Sequence, residues 1–147
     1  WGVDDETPGS RASQLLSNSG TTLGIIEGVS GGVLASQLMQ PDIDASSFKG
    51  SLVANADGIV NLPGEHKISG IGMIGEAAAL EMANNARTLF NSDYGLCVSA
   101  RTESGYHIAI ASARIQDVTE IKATYARAMS TQRSATTALV RLVSVLS

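Results

Sequence analysis

The 147 residues are 44% hydrophobic, 16% charged and only 4% aromatic, with a net charge of −4. That is the composition of one globular domain whose core is built from Ala, Val, Ile and Leu. It excludes a disordered chain, and without a basic stripe or stacking aromatics it argues against nucleic-acid binding. No apolar run approaches the roughly 20 residues that span a bilayer. The single Cys97 forms no internal disulfide and no Cys/His cluster has metal-ligand spacing, so neither a metal nor another cofactor is expected. A reducing cytoplasm is the expected compartment.

In chain order, Trp1 to Thr7 is acidic and without core period, and reads as a linker remnant ahead of a domain over 8–147. Pro8 opens a short helix to Ser17, with Leu15 and Leu16 inward and Asn18-Ser19-Gly20 as its stop. Thr21 to Ile26 is a continuous apolar run and predicts a strand buried on both faces. A helix over Gly31 to Gln40 follows, with Val33, Leu34, Leu38 and Met39 toward the sheet and Pro41 as its end. Phe48 to Ala54 is the next strand, and the Gly-rich stretch from Gly58 to Gly72 reads as a long loop.

Glu76 to Phe90 has clear helical spacing, through Ala79, Met82, Ala83, Ala86, Leu89 and Phe90. Tyr94 to Ala100 and His107 to Ala113 are strands joined through Arg101 to Gly105, short enough for a hairpin. Val118 to Ala126 alternates as a last strand. Ser130 caps a final helix, Thr131 to Leu146, burying Ala135, Ala138, Leu139, Leu142, Val143 and Leu146. Early strand–helix alternation followed by a hairpin predicts a three-layer α/β/α sandwich with a mixed, mostly parallel central sheet.

The turn Glu27-Gly28-Val29-Ser30-Gly31-Gly32 carries the chemistry of interest. Ser30-Gly31-Gly32 at a helix start reads equally well as an anion nest or as a cap plus two glycines that permit close packing. Glu27 reads as a strand-end carboxylate bonded to backbone, ahead of an acid/base role. His66 falls in a polar loop and reads as solvated, while His107 reads as a sheet-face or surface residue. Cys97, in an apolar strand, reads as an inert core residue.

The same turn resembles the Glu-Ser-Cys-Thr-Gly-Gly signature of the CinA C-terminal domain, the nicotinamide-nucleotide amidohydrolase family. Glu27, Gly31 and Gly32 match it and Ser30 takes the Thr position. The resemblance extends over nearly the whole chain. Trp1-Gly2-Val3-Asp4-Asp5-Glu6-Thr7 is similar to the segment that precedes this domain in the family, which implies a molybdopterin-binding-like domain ahead of it. Arg133-Ser134-Ala135-Thr136 is similar to the family's Arg-x-Ala-Thr, so Arg133 keeps a basic position that could serve a phosphate or a surface carboxylate.

The family's Tyr-Ser-Asn-x-x-Lys falls on Ala54, Asn55, Ala56 and Ile59, so Tyr, Ser and Lys are replaced. Its long hairpin loop has shrunk to Arg101–Gly105. Ile59 cannot accept a proton and Asn55 cannot attack an amide. The resemblance therefore implies a degenerate amidohydrolase, with Ala54, Asn55 and Ile59 as the emptied catalytic positions. Ligand contacts would fall to Glu27, Ser30, Gly31, Gly32, Ser99 and Arg133. It would be a nucleotide- or anion-binding or assembly module, a homodimer, with nicotinamide mononucleotide or another phosphate-bearing molecule as ligand. The alternative is a residual or altered deamidase in which Lys49 or Lys67 acts as base and Ser30 or Ser99 as hydroxyl. Close packing of an Ala-rich helix, Glu76 to Phe90, against a second copy is a third expectation.

Overall fold

Alternating bulky and small side chains along the strands decide how this chain layers. The computed structural model describes residues 6–53, 59–61, 67–69, 75–122 and 131–147. The elements, in chain order, are α1 (Pro8–Ser19), β1 (Leu23–Glu27), α2 (Val33–Leu38), β2 (Phe48–Val53), β3 (Ile59–Asn61), β4 (Lys67–Ser69), α3 (Glu76–Phe90), β5 (Tyr94–Val98), β6 (Gly105–Ala111), β7 (Gln116–Lys122) and α4 (Thr131–Leu146). The main sheet has strand order β2-β1-β5-β6-β7. β1 runs parallel to β2 and β5, while β6 runs antiparallel to both β5 and β7. Four of the five strands therefore point the same way, and β6 alone is reversed.

On one face Leu23, Ile25, Leu96, Val98, Tyr106, Ile108 and Ile110 meet α1, α2 and α4. On the other, Ile26, Cys97, Ala109 and Ala111 meet α3, the one helix on that face among the described residues. These are the three layers expected from the pattern. The face of three helices needs large side chains to fill the space between helix axes and sheet. The face of one helix needs small ones, so that a single helix can lie close.

The close seat of α3 is built from glycine. Gly24 is paired in register with Gly50 on one side and Gly95 on the other, forming a row without side chains across three strands. A Cβ on Gly95 would lie 1.8 Å from the Ala83 carbonyl oxygen, and one on Gly24 would lie 2.8 Å from the Phe90 ring. The Ala face of α3, with Ala79, Ala83 and Ala86, is thereby committed to the chain's own sheet.

Several expectations are corrected. Met39 does not face the sheet: it follows the last residue of α2 and is 64% exposed, because that helix spans only one and a half turns before Pro41. Leu15, Leu89, Phe90, Val143 and Leu146 are half-buried at the margins of their faces. The stretch from Gly58 to Gly72 is not a plain loop, since β3 and β4 within it pair as a two-stranded antiparallel sheet. Trp1 to Asp5, Ala54 to Gly58, Leu62 to His66, Gly70 to Ile74 and Ala123 to Ser130 lie outside the described residues.

Candidate functional site

Parallel strands of an α/β sheet leave their carboxyl ends and the following helix starts at one edge, which is where such folds place ligands. Here that edge gathers the end of β1, the start of α2, the end of β2 and the connection after β5. Glu27 is the last residue of β1. Strand alternation puts it on the face of Leu23 and Ile25, directly under α2, where it is completely buried.

Five donors surround its carboxylate. Oε1 accepts from the Ser30 hydroxyl at 2.8 Å and from the backbone N–H groups of Gly32 and Leu34, each at 3.1 Å. Oε2 accepts from the N–H of Ala35 at 3.1 Å and the Ser51 hydroxyl at 2.7 Å. A buried carboxylate is tolerable only when its lone pairs are occupied in this way. The reverse also holds. The first N–H groups of a helix need acceptors, and Gly32 at the N-cap brings no side chain to supply one. Glu27 caps α2 from the neighbouring strand.

The two glycines of the turn make this reach possible. Gly31 and Gly32 have φ of 57° and 94°, left-handed values that side-chain-bearing residues adopt at a cost. They reverse the chain at the end of β1, so that the N–H groups of α2 point back at the Glu27 carboxylate. A Cβ on Gly31 would lie 3.3 Å from Thr131 Cγ2, which brings the first residue of α4 against the same turn.

The remaining predicted site residues separate. Ser99 is buried, but its hydroxyl accepts from the His107 N–H at 2.8 Å and donates to the Ala100 carbonyl at 3.1 Å, stitching β5 to β6. His107 faces α3, opposite to Glu27, and its Nε2 stands 3.8 Å from Glu120 on β7. Lys49 is exposed on the edge strand β2. Arg133 lies in the first turn of α4 at the sheet edge and is exposed. Ala54, Asn55, Ala56 and His66 lie outside the described residues, and Ile59 and Lys67 are described only as backbone positions of β3 and β4.

Two participants escaped the sequence. Ser51 left one signal, a hydroxyl in an otherwise apolar strand end. Tyr106 is the largest fully buried side chain among the described residues. Its hydroxyl has no well-formed hydrogen bond. Burial pushes the phenol up, and Thr137 and Arg133 beside it act in the opposite direction. Among the described residues no group of His, Cys, Asp or Glu could hold a metal ion. Nor is any described helix long and apolar enough to cross a membrane.

Residues 5–146 match the family described as the CinA C-terminal domain. The chain belongs to the CinA C-terminal domain family. It is 31% identical over 103 residues to a CinA-like protein of Prochlorococcus marinus, covering 67% of this chain and 24% of that protein. It is 32% identical over 108 residues to a CinA-like protein of Gloeobacter violaceus, covering 71% and 25%. This CinA-type domain thus spans about a quarter of the length of the curated relatives it matches. A CinA superfamily protein from Klebsiella pneumoniae superposes with a TM-score of 0.76 at 19% identity, over 95% of each chain. A competence or damage-inducible protein from Enterobacter asburiae gives 0.74 at 16%, over 97% of this chain and all of that one. At such identities the likeness establishes the CinA fold alone.

Proposed function

We propose that this CinA C-terminal domain is a non-hydrolytic binding and assembly module, one that recognises a nucleotide or another phosphate-bearing ligand without cleaving it. The observation that carries the reading is the commitment of the site's hydroxyls among the described residues. Amide hydrolysis needs a hydroxyl held by a group with a free lone pair for its proton. Ser30 and Ser51 donate to a carboxylate already filled by three backbone N–H groups, and Ser99 donates to a backbone carbonyl. If Glu27 took a proton, α2 would lose its cap.

The same contacts favour a different seat for the ligand. The N–H groups of Gly32, Leu34 and Ala35, which would form an anion nest, already hold the chain's own anion. A phosphate would instead meet Arg133 and the first turn of α4, which the Gly31–Thr131 contact brings to the same edge.

The test pairs binding with turnover. Nicotinamide mononucleotide and inorganic phosphate are added to the purified chain, and melting temperature and ammonia release are followed together. A ligand of the native state raises the melting temperature by mass action, about 2.7 kcal/mol of stabilisation at a hundredfold excess over Kd. A rise without ammonia is expected, and Arg133→Ala removes it. Sustained ammonia release establishes the deamidase alternative. No thermal response to either compound leaves assembly alone, with homodimerisation and docking to a preceding molybdopterin-binding-like domain as its forms.

A further inference from the structure

A second site is visible where three helices meet, and it shares the first turn of α4 with the sheet edge. The start of α1, the outer face of α2 and the first two turns of α4 enclose a groove of about 390 Å³. That volume is in the range of small-molecule sites, roughly 300–1,000 Å³. Its walls are fixed. A Cβ on Gly9 would lie 2.8 Å from the Gln37 carbonyl oxygen, so α1 and α2 touch backbone to backbone. Thr7 is held by a reciprocal capping box with Ser10, and the Gln37 amide reaches across to Thr136 on α4 at 3.4 Å.

Among the described residues no lining side chain is ionisable, in a chain of net charge −4. The contrast with the neighbouring groove of about 530 Å³ is sharp, since Glu6, Asp42 and Asp44 line that one. A cationic ligand is drawn to the acidic groove, and an anionic one finds no counter-charge in the neutral groove. The neutral groove offers amides and hydroxyls instead. The Gln40 Nε2 donates to the Ser36 backbone carbonyl at 2.8 Å. A carbonyl only accepts, so this contact fixes the amide and leaves the Gln40 Oε1 as a preset acceptor. Ser36 and Gln132 add exposed groups that donate and accept, and Pro8 and Val33 supply an apolar wall.

We infer that this groove binds a neutral sugar. A hexose ring matches the two kinds of lining: its C–H face lies on Pro8 and Val33, and its hydroxyls donate to Gln40 Oε1 while accepting from the Gln132 amide and the Ser36 hydroxyl. A sugar carrying a carboxylate binds more weakly, because no described lining side chain offers a counter-charge for it.

Side-chain amide signals of glutamine make the test direct. The isotope-labelled chain is titrated with D-glucose, with glucuronate and with N-methylacetamide. Saturable shifts at Gln37, Gln40 and Gln132 with D-glucose are expected, with glucuronate weaker by about tenfold or more. Gln40, just beyond the end of α2, and Gln132, in the first turn of α4, are both exposed, so in Gln40→Ala and Gln132→Ala the fold persists and the glucose shifts shrink. The inference is overturned if D-glucose gives no saturable shift, if glucuronate binds equally well, or if the shifts survive both substitutions. Shifts with N-methylacetamide alone also overturn it and assign the groove to a peptide bond. Arg133 does not line the groove, so Arg133→Ala removes a phosphate response at the sheet edge and leaves the glucose shifts, which separates the two outcomes.

Discussion

Glu27 is where one side chain does the most in this molecule. It ties the end of β1, the start of α2 and, through Ser51, the edge strand β2 into one buried knot. Replacing it by Gln keeps the shape and reverses the chemistry. The amide NH₂ faces donors where a carboxylate oxygen accepted, so at least two donors lose their acceptor. The expected loss is about 3 kcal/mol, because each orphaned buried group costs its full desolvation penalty. A melting curve reports it as a fall of roughly 6–12 °C for a chain of this size. Ser51→Ala removes one of five donors and costs about 1 kcal/mol. Equal stability of the wild type and Glu27→Gln would show that the knot is not a fastening. Cys97 makes a second prediction at this scale. Its thiol is completely buried, and burial pushes its pKa up to about 12 from an ordinary 9.0. Only a thiolate reacts, so alkylation of the native protein at pH 8 is far slower than that of the unfolded chain. Linkage gives the sign for stability. Below pH 9 both states keep the proton; between 9 and 12 the unfolded thiol ionises first, so folded-state stability falls with rising pH across that window.

At the scale of elements, the glycine row under α3 sets a ranking. Gly95→Ala drives a methyl into the Ala83 carbonyl, part of a helix backbone that cannot yield locally. Gly24→Ala meets the Phe90 side chain first, which can turn, with the Ala86 carbonyl oxygen at 2.9 Å behind it. Overpacking of this kind costs about 1–3 kcal/mol, and Gly95→Ala belongs at or above the top of that range with Gly24→Ala below it. Urea titrations of the two variants give the order directly, and the reverse order would show that α3 is not seated on the β5 glycine. The elements also show what the sequence could and could not tell. Ile108, Ile110, Ala109 and Ala111 announced both faces of β6 by simple alternation, and the helical spacing of Ala79, Met82, Ala83 and Ala86 announced α3. The short β3–β4 pairing did not show, because three-residue strands have too few side chains to display a period. The site was half legible. Glu27, Ser30 and the glycines stood out as residue types, but two of the donors to Glu27 are the backbone amides of Leu34 and Ala35, which have no sequence signature. The Ser51 contact depends on β2 lying beside β1, a fact of topology rather than of local pattern.

For the whole molecule, the strand order determines where stability resides. β1 and β5 are the inner parallel strands, with hydrogen-bonded neighbours on both sides and layers on both faces. β2 and β7 are the edges. β7 carries Asp117, Glu120 and Lys122, charges that discourage another strand from pairing there, and Asp117 is held by Arg141 of α4 at 2.9 and 2.5 Å. That ion pair is partly exposed and contributes about 1 kcal/mol or less, so it trims the edge rather than locking it. Opening the centre requires parting both cores, whereas an edge can fray alone. Native-state hydrogen exchange follows this geometry: the amides of Ile25, Leu96 and Val98 exchange only through global unfolding, and their free energies of opening converge on the global value. Those of Lys49 and Glu120 open locally at lower free energy. The Glu27 knot adds a refinement, since α2, though only six residues long, is fastened to the inner strand β1. Leu34 and Ala35 amides are therefore expected to exchange as slowly as those of β1, and in Glu27→Gln they drop to the edge class while Leu96 keeps pace with the variant's own global stability. Fast exchange at Leu34 in the wild type would uncouple α2 from the sheet and remove the reason for burying a carboxylate there.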